Sequence, residues 1–247
     1  HLAGVLMENT SINRLDLHGN YLQKAGAQCL AAVLLKNTAL DEIFIAANDL
    51  GDQGAQAVAG ALRESTTLRR LCLESDGVGQ KGAWHLGTAL LQNSQSALLE
   101  LRLDSNSIGD RGLQQLASFL PGNRVLQILC LSRNEIGHRG LQRVAAALKE
   151  NAALTHLDLS HNSVGDQGAQ QMAAALRQNS SLLTLNLCDN GIGDVGAGQL
   201  ASALRENRVL QELYLAANPL QDSGREMLTR VLWQNTSLRT LDIVSTW

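Results

Sequence analysis

Hydrophobic positions along this chain switch between two spacings. In residues 154–179, LTHLDLSHNSVGDQGAQQMAAALRQN, Leu154, Leu157 and Leu159 form Leu-x-x-Leu-x-Leu, and Met172, Ala173, Ala175 and Leu176 follow after a polar corner. Leucines two residues apart point to one side of a strand, which leaves Asp158 and Ser160 facing solvent. The later group is a one-sided stripe of helical period. The phrase therefore predicts a short strand, a turn and an amphipathic helix.

The same phrase recurs along the whole chain. With the corner asparagine as the mark, equivalents stand at Asn20, Asn48, Asp76, Asn106, Asn134, Asn162, Asn190 and Asn218, 28 residues apart except for 30 between Asp76 and Asn106. An amide has donors and an acceptor for backbone groups that no ladder reaches, so stacked repeats predict a buried asparagine column. Asp52, Asp110, Asp166, Asp194 and Asp222, four residues further on, are expected to cap the helices they open. The glycines at 26, 54, 82, 112, 140, 168, 196 and 224 predict a close approach of backbone to backbone. Two departures stand out. Asp76 replaces the ladder amide and needs donors around it, and two extra residues near Gln95 and Ser96 predict a relaxed turn or a contact site. Pro121-Gly122 is expected to shorten the fourth helix.

Self-similarity at this period is the mark of a solenoid. The Leu-x-x-Leu-x-Leu strand, the corner Asn and the 28-residue spacing resemble the leucine-rich repeat family, in its ribonuclease-inhibitor-like class. Relatives of that class include the ribonuclease inhibitor, the Ran GTPase-activating protein and the repeat domains of NACHT-type immune receptors. The resemblance covers essentially the whole chain and implies an α/β fold with parallel strands on a concave side and helices on a convex side. Curvature follows from spacing as well, since strands stack about 4.8 Å apart while helices need roughly 8–10 Å. The helices must fan outward, giving a horseshoe.

Residues 1–247 are expected to form one domain: a partial repeat at 1–9, eight repeats, and a ninth strand within 238–247 carrying Leu238, Leu241 and Ile243. Residues 1–9 align with the second half of a repeat helix, and Thr246 occupies the final Asn slot before Trp247. The expectation is a segment of a longer chain.

A net charge of −3 without a basic run argues against nucleic acid as a partner, and no apolar stretch reaches membrane length. Cys29 falls on a helix, and Cys72, Cys130 and Cys188 are placed at solvent-facing strand positions. Strands two apart are separated by about 9.6 Å, beyond disulfide reach, so free thiols and a cytoplasmic setting are expected. Sequons at Asn9, Asn179 and Asn235 use a repeat asparagine and carry no implication of glycosylation.

Motifs that suggest chemistry dissolve into the repeat. Residues 77–82 and 191–196 both match G-x-G-x-x-G between a strand and a helix, yet only Gly77 and Gly191 are extra to the pattern. No cofactor or metal is expected. His156, His161, Asp158 and Ser132 invite a triad reading, but an open surface has nothing to exclude water, so no enzyme is expected. Resemblance to the GTPase-activating relatives would give a rim Arg or Asn a role in ordering a partner's site; Arg102, Arg133 and Asn186 are available, and no motif selects them.

What remains is the concave face. Its candidate partner-binding residues are Phe44, Arg70, Glu74, Arg102, Asp104, Arg133, Asp158, His161, Asp189 and Tyr214, with Ser160 counted as a tolerant surface position. With its rim the face carries ten acids and six bases, which suits a neutral to basic protein partner. The reading is a protein–protein interaction scaffold. Alternatives are a regulator of a small GTPase, the sensing repeats of a NACHT-type receptor, and a structural subunit of a large assembly. Trp84 and Trp233 occupy helix positions that are polar in most repeats and offer a possible second docking surface.

Overall fold

The computed structural model describes residues 2–244; Thr246 and Trp247 lie outside them. Helix α1 (Leu2–Glu8) leads into β1 (Arg14–Asp16), α2 (Gln23–Leu34), β2 (Glu42–Phe44), α3 (Gly51–Leu62), β3 (Arg70–Cys72) and α4 (Gln80–Gln92). Then come β4 (Glu100–Arg102), α5 (Gly109–Leu116), β5 (Ile128–Cys130), α6 (His138–Leu148), β6 (His156–Asp158) and α7 (Gly165–Leu176). The chain continues through β7 (Thr184–Asn186), α8 (Asp194–Leu204), β8 (Glu212–Tyr214), α9 (Asp222–Val231) and β9 (Thr240–Asp242). The strands form one open parallel sheet in sequence order.

Register repeats from layer to layer. Leu15, Ile43, Leu71, Leu101, Leu129, Leu157, Leu185, Leu213 and Leu241 stand opposite one another at the strand centres. Those from Ile43 to Leu213 are essentially closed to solvent, as are Met172, Ala173, Ala175 and Leu176 of α7. Each fully buried leucine is worth roughly 1.5–3 kcal/mol, and because every layer packs on the next a main core runs along the repeats, with a small second cluster of Leu6, Val33 and Leu40 beside α1.

The corner asparagines form the predicted column, and its bonds run across repeats. Asn48 donates through Nδ2 to the Leu17 and Ile45 carbonyls and accepts through Oδ1 from the Asn20 and Leu22 amides. Asn106, Asn134, Asn162, Asn190 and Asn218 likewise donate to the strand-end carbonyls of the layer before them, at 2.8–3.0 Å. Asn20 corrects the expectation of burial: it is exposed and donates only within its own turn, to Leu17 and His18, and Asn162 is half-buried. The residue just before most of these asparagines takes a positive φ, as at Arg133, His161 and Asp189 (50–54°), and this throws those side chains outward.

A second asparagine column runs along the ends of the helices. Asn37, Asn93, Asn151, Asn179, Asn207 and Asn235 each donate to a leucine carbonyl near the end of the preceding layer's helix, and their Oδ1 atoms bind amides two or three residues ahead. Asn179 and Asn235 are buried with their amide nitrogens so engaged, which explains why these sequons are structural.

The aspartates do not cap their own helices. Asp52 Oδ1 accepts from the Gly79 and Gly82 amides at the start of α4, Asp110 from Gly137 and Gly140 of α6, Asp166 from Gly193 and Gly196 of α8, and Asp194 from Gln221 before α9. Layer stacking brings each of these carboxylates within hydrogen-bond distance of the next helix start. Asp222 lies in the first turn of α9. Helices α3, α5 and α7 have Lys24, Gln80 and His138 behind them instead. They open on Gly51, Gly109 and Gly165 with φ near +60°, whose amides turn forward to the Asp76, Asn134 and Asn190 carbonyls. The structural unit over this stretch is thus a pair of repeats.

The repeat glycines make close approaches, but not all to backbone. A Cβ on Gly140 would stand 2.9 Å from Asp110 Cα, whereas on Gly54 it would meet the Leu50 side chain at 2.7 Å. Helix α5 is short, as Pro121 requires, and finishes in a 3-10 turn at Ala117–Phe119 that buries Phe119. At the two-residue insertion Gln95 bonds the Asn93 side chain and Leu98 the Ser96 hydroxyl, beside a cavity of about 320 Å³.

Candidate interaction surface

Side chains flanking the central leucines stand on the open side of the sheet, and strand register decides which of them meet. Across the first four strands the registry Arg14, Glu42, Arg70, Glu100 alternates charge. Arg70 reaches Glu42 at 2.9 Å and Glu100 at 3.4 Å, Arg14 reaches Glu42 at 3.9 Å, and Arg102 joins Glu100 and, at 3.7 Å, Glu74. The Arg14 guanidinium lies 4.5 Å from the Phe44 ring centroid. Exposed pairs of this kind contribute about 0–1 kcal/mol each; their main effect is to hold the side chains in place. With Asp16, His18 and Cys72 they line a cavity of about 400 Å³.

Beyond β4 the face changes character. Position 128 is isoleucine, and His156, Thr184, Glu212 and Thr240 continue that column. Asp104 accepts from the Ser132 amide at 2.8 Å, and Asp158 accepts from the Ser160 amide and the Asn186 side chain. Burial raises the Asp104 carboxyl to about 6; the Ser132 amide opposes this, and the Glu74 and Asp158 charges reinforce it. Tyr214 donates to Glu212, which also receives Thr184, and burial together with the Glu212 charge raises the phenol.

At the strand-end turns, Arg133, His161 and Asp189 make a line across three layers. His161 Nδ1 lies 2.8 Å from Asp189 Oδ2, and Arg133 Nη2 lies 3.5 Å from His161 Nε2, a pattern the ring satisfies by donating at Nδ1 and accepting at Nε2. Ser132 is turned away from this histidine and accepts from the Ser160 hydroxyl at 3.0 Å, so no nucleophile meets a base here.

The structure thus gathers the predicted residues into three groups, namely Phe44, Arg70, Glu74 and Arg102 around the cavity, Asp104 with Asp158, and Arg133, His161 and Asp189 along the turns; Tyr214 stands apart from them beside Glu212. Three surface expectations fail. Ser160 is only 4% exposed because its hydroxyl is tucked against Ser132. Cys72 is 5% exposed, covered beside the cavity, and burial raises its thiol to about 12, as it does that of Cys130. Cys188 lies two residues beyond the column that holds Cys72 and Cys130. All four cysteines are free.

Sequence reasoning missed the second asparagine column and the cross-repeat caps. The recurrence of Asn at 9, 37, 93, 123, 151, 179, 207 and 235 was the available signal for the first. The caps have a chemical consequence. The amides that a G-x-G-x-x-G turn would offer a phosphate, those of Gly79, Gly82, Gly193 and Gly196, are already taken by Asp52 and Asp166. On the helical side, Trp84 is 47% and Trp233 90% exposed, and the Trp84 ring lies 4.6 Å from that of His85. No helix is long and apolar enough to cross a membrane among the described residues.

Six stretches, residues 8–31, 96–117, 122–145, 150–173, 178–201 and 206–228, match the family described as Leucine Rich repeat. No curated protein matches the chain at a significant level. Among solved structures, leiomodin-1 actin-binding site 2 is 21% identical with a TM-score of 0.51, over 62% of this chain and 87% of that one. The tropomodulin C-terminal domain of Caenorhabditis elegans is 11% identical with a TM-score of 0.52, over 60% and 89%. At these identities the likeness is one of fold.

Proposed function

The chain belongs to the leucine-rich repeat family, and from that premise we propose that it is a non-enzymatic protein-interaction scaffold that receives a partner protein on its concave sheet face. The carrying observation is the contrast within that face. Its first four strands hold arginines and glutamates already paired with each other, whereas Asp104 and Asp158 accept only amides and have no arginine bonded to them. A neutral to basic partner gains most at that unneutralised stretch, with Arg133, His161, Asp189 and Tyr214 at its margin. Complementary charge of this kind governs approach and register. A neighbour of similar fold, leiomodin-1, is named for an actin-binding site, which supports a protein partner for a fold of this kind; the partner of this chain is a separate question.

The test is capture from native extract with the wild-type chain and with a D104N/D158N/D189N triple variant, in which amide oxygens can still accept from Ser132, Ser160 and His161 and only the Asp158 bond from Asn186 is given up. The expected outcome is one partner that is lost or weakened at least tenfold by the variant and released as salt rises. Retention of the same partners by the triple variant, with loss on Trp233→Ser, would place binding on the helices and overturn this reading.

A further inference from the structure

Among the described residues, residue 76 is the one rung of the corner column that is not an amide, and both oxygens of Asp76 are shut away from solvent. Oδ1 does what the other rungs do, accepting from the Asn48 amide at 2.7 Å. Oδ2 has no partner among the described residues. In the equivalent rungs the second atom is the Nδ2 that donates to the strand-end carbonyl of the layer before and to its own, as Asn106 does to Leu73 and Leu103. An ionised Asp76 can donate to neither Ile45 nor Leu73, whose carbonyls then accept side-chain amides from Asn48 and Asn106 alone, whereas a protonated one supplies one further hydrogen. The rung after it is complete: Asn106 accepts from the Asp76 and Val78 amides.

The second column is interrupted beside the same strand. Ser65 stands where asparagine clamps the neighbouring layer, and its hydroxyl only accepts locally from the Leu68 amide at 3.3 Å. Strand β3 is therefore flanked on both sides by positions that lack the cross-repeat amide.

We propose that Asp76 is a proton-operated latch: protonated, it closes the joint between the β2 and β3 layers, and on releasing its proton it leaves a buried carboxylate oxygen without a donor and loosens that joint. The groups facing it decide where this happens. Burial is the largest influence and favours the neutral acid; the Asn48 and Leu50 amides favour the anion; Asp49 of the β2 turn retains the proton, and His18 of the β1 turn opposes it. Asn106, the neighbour on the β4 side, is uncharged. The balance raises Asp76 from an ordinary 3.8 to about 6. Because the folded value is raised, the stability this group contributes is fully present below pH 4 and is lost as pH rises through about 6.

The deciding experiment compares the native chain with D76N, which supplies the missing amide, by denaturant unfolding at several pH values. The folding constant of the native chain relative to D76N should fall by roughly fiftyfold between pH 4 and pH 7. Asp104 titrates in both chains and drops out of the ratio. A ratio that stays flat across that range would overturn the latch. Should D76N not fold, the carboxyl carbon of Asp76 in the native chain is followed by NMR: a midpoint near 6 supports the proposal, and one in the ordinary carboxylate range near 4 refutes it.

Discussion

Leu157 and His156 are neighbours in β6 with opposite surroundings, the leucine 1% exposed in the core and the histidine in solvent on the concave side. Leu157→Asp would place a carboxylate among leucines and is expected to cost about 3–5 kcal/mol, while His156→Asp should change stability by less than about 0.5 kcal/mol. Equal denaturation midpoints for the two variants would mean that the strand register is wrong. Strand alternation makes this contrast readable from the chain, but the same rule misplaces Ser160. Alternation tells which side of the sheet a residue faces; it does not tell whether a neighbour such as Ser132 then covers it. Cys72 teaches the same lesson, because its cover is the cavity wall assembled from separate repeats.

At the scale of the element, strands of three residues and helices of 7–13 are too short to stand alone. They are held by side-chain amides that reach into the layer before. Asn151 makes the full set, donating to the Leu120 and Asn123 carbonyls and accepting from the Ala153 and Leu154 amides. Asn123, next to the residue pair Pro121-Gly122, makes only the local half, with Val125 and Leu126. Asn151→Ala should therefore cost about 2–3 kcal/mol and Asn123→Ala about 1 kcal/mol, measured by equilibrium unfolding. Similar losses from both would show that the cross-repeat bonds add little. The caps obey the same geometry. Asp166 begins α7 but serves α8, and a rule that looks for a cap at the start of its own helix cannot see this.

For the molecule as a whole, layers touch only their neighbours, so damage should stay local. Leu213→Asp in β8 is expected to strip amide protection from α8, β8 and β9 while β2 to β4 exchange as slowly as before. Hydrogen exchange read fragment by fragment checks this; a uniform loss of protection would show that the solenoid unfolds as one unit. The same near-neighbour logic confines the Asp76 latch to one joint and lets the two parts of the concave face differ, one locked by ion pairs and the other carrying carboxylates bonded to amides.

The strand–turn–helix order, the period, the inward leucines and the asparagine column are all written in the chain, because each depends on contacts within a repeat or on a neighbour related by a constant 28-residue step. The two-residue irregularity at Gln95 and Ser96 was equally plain. Folding alone settled which charges meet, because Arg70 with Glu42 and Glu100, the line from Arg133 through His161 to Asp189, and the carboxylate caps depend on which way long side chains turn between successive layers, and the repeat step fixes only that those layers are neighbours. The unpartnered oxygen of Asp76 belongs to the same group: the substitution was visible, but its consequence depends on which carbonyls the stacked turns bring to that one atom.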